Sequence, residues 1–281
     1  MKSKKHTYKT IMFKKLLTQA KYHAITKSTH QFSIRKGGKN MTRFQLKFTL
    51  ESPELPLDVD CVIVSFLKAG VQRVSPEWFD QLYNKKKSII KMYSWSCYYP
   101  GAKFTKDKIL LDENYFSLTF SDSDTKECLQ FFNAFQLMRR QPYPMNHNSM
   151  TLEEIRIKEC TDVVDAESVV VKLQSSLLVR RHNSEDNTDR YYTCEDPEFS
   201  EVIKENVKFL LEKQGLPFSM ENFSVTPVKA KKIVARVWRR PTDATIGILK
   251  LTGKPDLLNF LCASGLGSRR SEGHGLVNVI W

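Results

Sequence analysis

The amino-acid sequence predicts an α+β protein built from two tandem ferredoxin-like domains, each with the element order βαββαβ, and a glycine-rich loop near the C-terminus. Two observations support this fold class. Apolar residues alternate with polar ones in several segments, which is typical of half-buried strands, and between these segments they recur at helical spacing. The order of strand, helix, strands, helix and strand occurs between residues 41 and 157, and the rest of the chain repeats it loosely.

The first domain opens with a strand, because apolar residues from Phe44 to Leu50 alternate with polar ones. After a break at two prolines, helical spacing begins at Val59, and Asp58 is suited to the start of that helix. The remaining predicted elements are strand-like runs at 89–98, 104–111 and 115–120, a helix that begins near Asp124, and a closing strand at 152–157.

The second domain is predicted to repeat this order. Alternating apolar residues indicate a strand at 169–173, and a polar stretch at 183–189 indicates a hairpin tip. A helix that begins near Phe199 should end at Gly215, since glycine is favoured just after a helix. The remaining predicted elements are long β segments at 223–238 and 245–251, a short helix with Pro255 in its first turn, and a final strand at 276–281.

The basic excess lies mostly in the first forty residues. The chain has 281 residues and a formal net charge of +13, and residues 1–40 hold ten Lys, one Arg and no acidic residue. Three interpretations of this segment are open: a flexible extension or an upstream start, which we expect, a basic arm that holds RNA phosphates, or a transit peptide. The predicted organisation is an extension at 1–40, an N-terminal domain at 41–162 and a C-terminal domain at 163–281.

Charge is also polarised within the two predicted domains. Residues 41–111 and 220–281 carry net charges of +4 and +6, whereas residues 112–219 carry −8. If the two basic ends meet in the fold, they form one positive face with an acidic back. Such a face favours a polyanionic partner.

The composition excludes several classes of protein. A content of 41% hydrophobic and 27% charged residues is typical of a globular chain. No apolar stretch is long enough for a membrane span and no secretory signal is visible, so we expect a soluble protein of the cytoplasm. The six cysteines form no C-x-x-C pair and are predicted to be reduced core thiols, so neither a metal site nor a cofactor is expected.

The glycine-rich loop is the most distinctive motif. It reads Gly265-Leu-Gly-Ser-Arg-Arg-Ser-Glu-Gly-His-Gly275 and lies between a predicted helix and the final strand. It matches neither a dinucleotide fingerprint nor a nucleotide-triphosphate loop, which need a different glycine spacing or a Gly-Lys-Ser/Thr ending. We expect it to offer exposed backbone N–H groups and two arginines to an RNA backbone. Replacing Gly267 and Gly273 by Ala should then weaken RNA binding or cleavage and leave the fold largely intact.

This loop, placed after a short helix close to the C-terminus, resembles the signature of the RAMP superfamily of CRISPR-associated proteins. Within it, the chain is most similar to the Cas6-type endoribonucleases that process CRISPR repeat RNA. The stretches that carry this closer resemblance are Leu55-Pro-Leu-Asp58, Tyr93-Ser-Trp-Ser ahead of Tyr-Tyr-Pro, and Ser176-Leu-Leu-Val-Arg-Arg-His-Asn183. It covers residues 41–281 and none of residues 1–40.

The resemblance implies a chemistry and its partners. Such enzymes cleave repeat RNA without a metal ion, because the 2′-hydroxyl attacks the adjacent phosphate and leaves a 2′,3′-cyclic phosphate and a 5′-hydroxyl. The implied role is CRISPR RNA maturation in prokaryotic antiviral defence, with precursor and mature guide RNA as partners and no membrane. Other CRISPR-associated proteins of an effector complex are further implied partners, and the chain is a monomer or a homodimer. The alternative is a non-catalytic RAMP subunit that binds RNA in such a complex.

The family's usual base is a histidine on or just after the first helix, and residues 41–146 of this chain contain none. Relatives that lack it resemble one another in using lysine and tyrosine, which implies catalytic roles for Tyr83, Lys85 and Lys87 here. His182 is a further candidate for proton transfer, since it follows two arginines near a predicted hairpin tip. For each residue alone, a solvated loop position or ordinary packing is the alternative.

The predicted RNA-binding residues lie in three places. Alternate residues of a strand share one face, so we expect Lys232, Arg236 and Arg240 to form a row. Two more candidates precede the predicted hairpin tip, and the rest belong to the loop. These are Arg180, Arg181, Gly265, Gly267, Ser268, Arg269, Arg270, Gly273, His274 and Gly275.

Overall fold

A computed structural model of the chain describes residues 41–84, 86, 89–160 and 163–281. The basic segment 1–40 and the candidate catalytic residues Lys85 and Lys87 lie outside the described residues. No helix in the described part of the chain is long and apolar enough to cross a membrane.

Helices are interspersed among runs of strands along the described part of the chain. The helices are α1 (Val59–Val74), α2 (Pro76–Tyr83), α3 (Thr125–Met138), α4 (Phe199–Gln214) and α5 (Pro255–Ser264). The strands before residue 163 are β1 (Met41–Leu50), β2 (Glu54–Pro56), β3 (Tyr93–Tyr98), β4 (Lys103–Phe104), β5 (Lys108–Leu110), β6 (Tyr115–Asp122), β7 (Pro142–Met145) and β8 (Asn148–Cys160). The later strands are β9 (Ser168–Leu173), β10 (Val179–Asn183), β11 (Thr188–Tyr192), β12 (Ser224–Val237), β13 (Arg240–Thr252) and β14 (Val277–Val279).

Two antiparallel sheets organise these elements, and the predicted α+β class is confirmed. The first sheet has the order β3-β6-β1-β8-β7 and the second has the order β12-β13-β9-β14. In the first sheet, the first strand along the chain, β1, lies between β6 and β8. In the second sheet, the first strand, β9, likewise lies between β13 and β14. Two smaller sheets, β2-β5-β4 and the hairpin β10-β11, lie beside them.

An aromatic core fixes the helices on one face of the first sheet. Phe48 of β1 stacks on Phe116 of β6 at 4.9 Å between ring centroids, and Phe120 of β6 lies 4.6 Å from Phe131 of α3. These side chains are fully buried. The predicted start of α3 is confirmed, because the Asp124 carboxylate accepts hydrogen bonds from the first backbone N–H groups of that helix.

Helix α5 and strand β14 attach the second sheet to the open face of the first. Arg43 of β1 is buried, and its Nη2 donates to the carbonyl oxygens of Cys262 at 2.9 Å and Val277 at 2.7 Å. Ser121 Oγ of β6 donates to the carbonyl oxygen of Ala263 at 2.8 Å. The predicted domain boundary at 162/163 stays a prediction, since residues 161 and 162 are outside the described range.

Two local differences from the sequence expectation have clear causes. Helix α2 was not expected, although Ser75 caps it, accepting a hydrogen bond from Trp78 N at 3.1 Å, and Pro76 occupies its first turn. The apolar run at 89–98 is a strand only from Tyr93 onward, and the residues before it form part of an irregular connection from α2. That connection brings Lys91 beside α2.

Candidate functional site

The glycine-rich loop (residues 265–275) connects α5 to β14 and contains a short 3-10 turn, Arg270–Glu272. Its glycines have positive φ and lie against other parts of the protein. A Cβ added to Gly275 would lie 1.9 Å from Leu266 O, and one added to Gly267 would lie 2.4 Å from Leu178 O. Glycine is therefore needed here for close approach within the protein itself.

The expectation that this loop exposes its backbone donors is wrong for three of its N–H groups. Leu266 N donates to Gly275 O at 2.9 Å, Ser268 N donates to Leu178 O at 2.8 Å and Gly275 N donates to Ser176 O at 2.9 Å. Ser268 Oγ also donates to Leu178 O at 3.0 Å. The first bond closes the loop on itself and the others hold it against the segment before β10, so these donors are not available to a ligand.

Gly265 and Gly273 also lie too close to neighbouring residues to accept a Cβ. A Cβ added to Gly265 would lie 2.8 Å from Ser94 Oγ, and one added to Gly273 would lie 2.6 Å from the ring of Trp95. Trp95 Nε1 also donates to Ser271 O at 3.0 Å. The expectation that Gly267→Ala and Gly273→Ala leave the fold intact is therefore wrong, because each added methyl group would push on a buried neighbour.

The two loop arginines differ in accessibility. Arg270 is 6% exposed, and its guanidinium donates to Ser264 Oγ at 3.2 Å and to Lys91 O at 3.1 Å. Burial lowers the Arg270 pKa to about 10, so the group stays charged at neutral pH. Arg269 is partly exposed and donates to Tyr191 Oη at 3.1 Å and to the Glu272 carboxylate at 3.0 Å. Arg270 thus joins the two halves of the chain, whereas Arg269 faces a surface cleft.

His274 is buried within the loop. Its Nδ1 is hydrogen-bonded to Ser176 Oγ at 2.9 Å, and its Nε2 is buried without a hydrogen-bond partner. Burial lowers the His274 pKa to about 4, so the ring is neutral at physiological pH. The position supports the loop and does not present the ring to a ligand at the surface.

Two lysines flank the ring of Tyr83, the last residue of α2. The Nζ atoms of Lys91 and Lys68 lie 5.1 Å and 5.3 Å from its ring centroid, within cation–π range. The Tyr83 hydroxyl is hydrogen-bonded to Tyr93 Oη at 2.7 Å, and burial raises its pKa well above the ordinary value. The aromatic ring of Tyr83 is therefore suited to hold two ammonium groups, whereas its hydroxyl is poorly suited to accept a proton.

The surroundings of Lys91 lower the pKa of its amine. Burial lowers its pKa, the nearby Lys68 charge lowers it further, and the carboxylates of Glu272 and Glu127 oppose the shift. Arg270 holds the Lys91 carbonyl, and α1 packs against the loop's 3-10 turn. We call Lys68, Tyr83 and Lys91 the lysine–tyrosine cluster. Sequence reasoning missed both lysines, although each interrupts an apolar run, which was the available signal.

Two buried carboxyl groups lie behind this cluster. Burial is the main cause that raises the pKa of Asp122, and burial together with the Asp124 charge raises the pKa of Glu127 to about 7. One carboxylate oxygen of each group is buried without a hydrogen-bond partner. Both groups therefore hold protons at a pH where an exposed carboxyl would be ionised.

The variant Glu127→Gln should make the protein more stable at alkaline pH. In the folded protein the Glu127 carboxyl keeps its proton up to about pH 7, whereas in the unfolded chain it loses the proton near its ordinary pKa of 4.5. The free energy of unfolding of the wild type therefore falls as the pH rises from 4.5 to about 7. Removing the ionisable group removes this fall. Thermal unfolding should show a Tm about 2–4 °C above the wild type at pH 8 and an equal Tm at pH 4. If the variant and the wild type had the same Tm at pH 8 as well as at pH 4, this account of Glu127 would be contradicted.

The hairpin β10-β11 pairs its cations with acidic residues. His182 Nδ1 donates to Asp189 Oδ1 at 2.8 Å, and Arg180 Nη1 donates to Asp189 Oδ2 at 3.0 Å. Arg181 forms an ion pair with Glu205 of α4. These three candidates lie in the C-terminal half of the chain. Asp189, on β11, positions the His182 side chain, which lies on the paired strand β10.

The β12-β13 hairpin carries the predicted basic row only in part. Lys232 and Arg236 are exposed on β12, and Lys232 forms an ion pair with Asp243 at 2.8 Å. The expectation that Arg240 continues this row is wrong, because β12 ends at Val237 and Arg240 lies across the turn on β13. A two-residue turn, Trp238 and Arg239, joins the strands with φ values of 47° and 67°.

A cleft of about 1230 Å³ separates this turn from the hairpin β10-β11. Three arginines and two aromatic side chains give it the composition of a nucleic-acid-binding surface. They are Arg190, Arg240, Arg269, Tyr191 and Trp238. Three carboxylates also reach the cleft: Asp189, Asp243 and Glu272. The cleft therefore combines an RNA-binding composition with internal ion pairs.

Residues 157–279, which include β9, the basic hairpins and the whole glycine-rich loop, match the family described as CRISPR associated protein Cas6, C-terminal. This match supports a CRISPR-associated, Cas6-type RAMP protein. No curated protein sequence matches it.

Several solved structures share the fold of this chain at low sequence identity. A structure titled "An RAMP protein binding different RNA substrates" is 18% identical with a TM-score of 0.72, and covers 85% of this chain and 100% of its own. One titled "Characterization of a Cas6-related gene from Pyrococcus furiosus" is 14% identical with a TM-score of 0.73, and covers 85% and 98%. Another, "CRISPR associated protein Cas6", is 16% identical with a TM-score of 0.67, and covers 86% and 100%. At this identity the likeness concerns the fold.

Proposed function

We propose that this chain is a metal-independent endoribonuclease that cleaves CRISPR precursor RNA within its repeats. The Cas6 family match and the fold support an RNA-processing role. The observation that carries the catalytic part is the lysine–tyrosine cluster, where the Nζ atoms of two lysines lie over one ring beside the glycine-rich loop. The order of strands shared by the two sheets supports a tandem ferredoxin-like organisation, with domains at 41–162 and 163–281.

The reaction requires one proton acceptor and one proton donor. The 2′-oxygen attacks the adjacent phosphorus, the new 2′-O–P bond forms, and the P–O5′ bond breaks. Lys91 in its neutral form accepts the 2′-hydroxyl proton, because its lowered pKa makes that form accessible. The Lys68 ammonium stabilises the phosphorane oxygens and supplies a proton to the leaving 5′-oxygen. The products are a 2′,3′-cyclic phosphate and a 5′-hydroxyl.

In this proposal the other predicted catalytic residues do not transfer protons. Tyr83 positions the two lysines with its ring, and Lys85 and Lys87, which directly follow α2, add positive charge for the phosphate backbone. His182 lies on β10 and is proposed to contact RNA through the hairpin. Arg180, Arg181, Lys232, Arg236, Arg240 and Arg269 are proposed as phosphate contacts.

A non-catalytic RNA-binding subunit remains the rival function, and the absence of histidine from residues 41–146 of the sequence favours it. The two are separated by incubating the purified chain with its cognate repeat RNA in EDTA. An otherwise identical RNA with one 2′-deoxy nucleotide at the cut serves as the matched control. We expect cleavage of the all-ribose RNA and none of the 2′-deoxy RNA. Tight binding without cleavage of either RNA would establish the rival.

A further inference from the structure

The tip of the β12-β13 hairpin bridges the two halves of the chain. Arg239 Nη2 and Nε each lie 2.9 Å from Asp58 Oδ2, just before α1 in the N-terminal half. The Trp238 backbone N–H donates to Asp60 Oδ2 at 3.4 Å, and its indole Nε1 donates to the Glu272 carboxylate. The tip is thus held by three carboxylates from two separate parts of the fold.

The residues at this turn are unusual for its backbone conformation. A two-residue hairpin turn in which both residues have positive φ favours Asn and Gly. Trp and Arg occupy it here, although the left-handed conformation is unfavourable for a residue with a Cβ. Strain of this kind persists where side-chain contacts compensate for it, and it clusters at ligand clamps and switches. The side-chain contacts that compensate here are those of Trp238 with Glu272 and of Arg239 with Asp58.

The Arg239 contact at the tip is accessible to an incoming ligand. The Arg239 side chain is 73% exposed and the Asp58 side chain is 17% exposed, so water screens the ion pair from the arginine side. An RNA phosphate offers the same acceptor geometry to a guanidinium and brings further charges with it. Trp238 and Glu272 both line the cleft, so breaking their hydrogen bond opens its edge beside the glycine-rich loop.

We propose that Trp238 and Arg239 form a phosphate-binding strap, which Asp58 and Glu272 hold shut across the cleft until RNA displaces them. In the RNA-bound protein, Arg239 exchanges Asp58 for a phosphate and Trp238 is released to stack on a base. This inference rests on the proposed function, because the displacing ligand is RNA. It assigns a role to a turn between the predicted phosphate contacts Arg236 and Arg240.

A double-mutant cycle tests the exchange. Asp58→Asn removes the competing charge, and we expect it to tighten repeat-RNA binding about 2- to 5-fold at low salt. Arg239→Ala should weaken binding and lower the slope of log Kd against log salt by about 0.7, as expected for one phosphate contact on a single strand. In the Arg239→Ala background, Asp58→Asn should have no effect. Asp80→Asn on α2 is the control for a general change of charge. A gain that persists without Arg239, or an equal gain in the control, would overturn the proposal.

A reversible lock separates this proposal from the proposed function. Asp58→Cys and Arg239→Cys, made together with Cys61→Ser, can be joined by a short cysteine-reactive cross-linker that replaces the length of the two side chains, and a reducing agent cleaves the disulfide inside the linker. We expect the locked protein to bind a non-cleavable 2′-deoxy repeat RNA at least tenfold more weakly than the same protein after reduction. Equal affinity in both states would overturn the strap and leave the RNA function standing. If neither the wild type nor the reduced variant binds the RNA, the proposed function fails and the strap fails with it.

Discussion

Lys91→Ala should lower the single-turnover rate of repeat cleavage by about 10²-fold, which is the lower end of the contribution of a general base. The lowered pKa of Lys91 makes its neutral form available at a lower pH than for an exposed lysine, so the wild-type rate should rise with pH and level off above that pKa. The fold should tolerate the change, because Arg270 holds the backbone carbonyl of Lys91 and not its side chain. The rate is measured at saturating protein over a range of pH.

Two further variants show whether Lys91 acts as a base or through its charge. Lys91→Arg keeps the positive charge and cannot release its proton, so it should be as slow as Lys91→Ala if Lys91 is the base. Recovery of the rate with arginine would instead make Lys91 an electrostatic group. Lys126→Ala, an exposed lysine in the first turn of α3, is the control and should cleave at the wild-type rate.

Gly275→Ala should be the most destabilising single substitution in the glycine-rich loop. The added Cβ would lie 1.9 Å from the carbonyl oxygen of Leu266, which is backbone and cannot rotate away as a side chain does. The positive φ of 72° adds a further unfavourable contribution. We expect a loss of at least about 3 kcal/mol in the free energy of unfolding, measured by urea titration monitored by circular dichroism.

Gly215→Ala at the end of α4 is the matched control. Its φ is 61°, close to that of Gly275, but no atom lies within 4 Å of the added Cβ. It should therefore cost only about 1 kcal/mol, the contribution of the backbone conformation alone. Equal losses at the two positions would show that the close approach inside the loop does not determine its stability.

The sequence predicted the fold where local patterns determine it. The alternation around Phe44 to Leu50 gives β1, and the Asp124 cap and Gly215 mark where α3 begins and α4 ends. Helix α2 was missed because its apolar pattern is short, although the Ser75 cap and Pro76 were visible signals. Local patterns do not determine which strands pair, so the separate sheet β2-β5-β4 was not expected.

The candidate site was predicted less well, for a physical reason. The family resemblance identifies Tyr83, but the two lysines beside its ring come from α1 and from the irregular connection before β3. Only the fold brings these segments together. The glycines were correctly singled out, but their role depends on neighbours such as Leu178 and Trp95, which are distant in sequence.

The most direct test of the central claim is the mass of the products of repeat-RNA cleavage in EDTA. Mass spectrometry of the upstream fragment distinguishes its possible 3′ ends, and that of the downstream fragment its 5′ end. We predict a 2′,3′-cyclic phosphate on the first and a 5′-hydroxyl on the second, since the nucleophile belongs to the RNA. A 3′-hydroxyl paired with a 5′-phosphate would contradict the account, because water would then be the nucleophile.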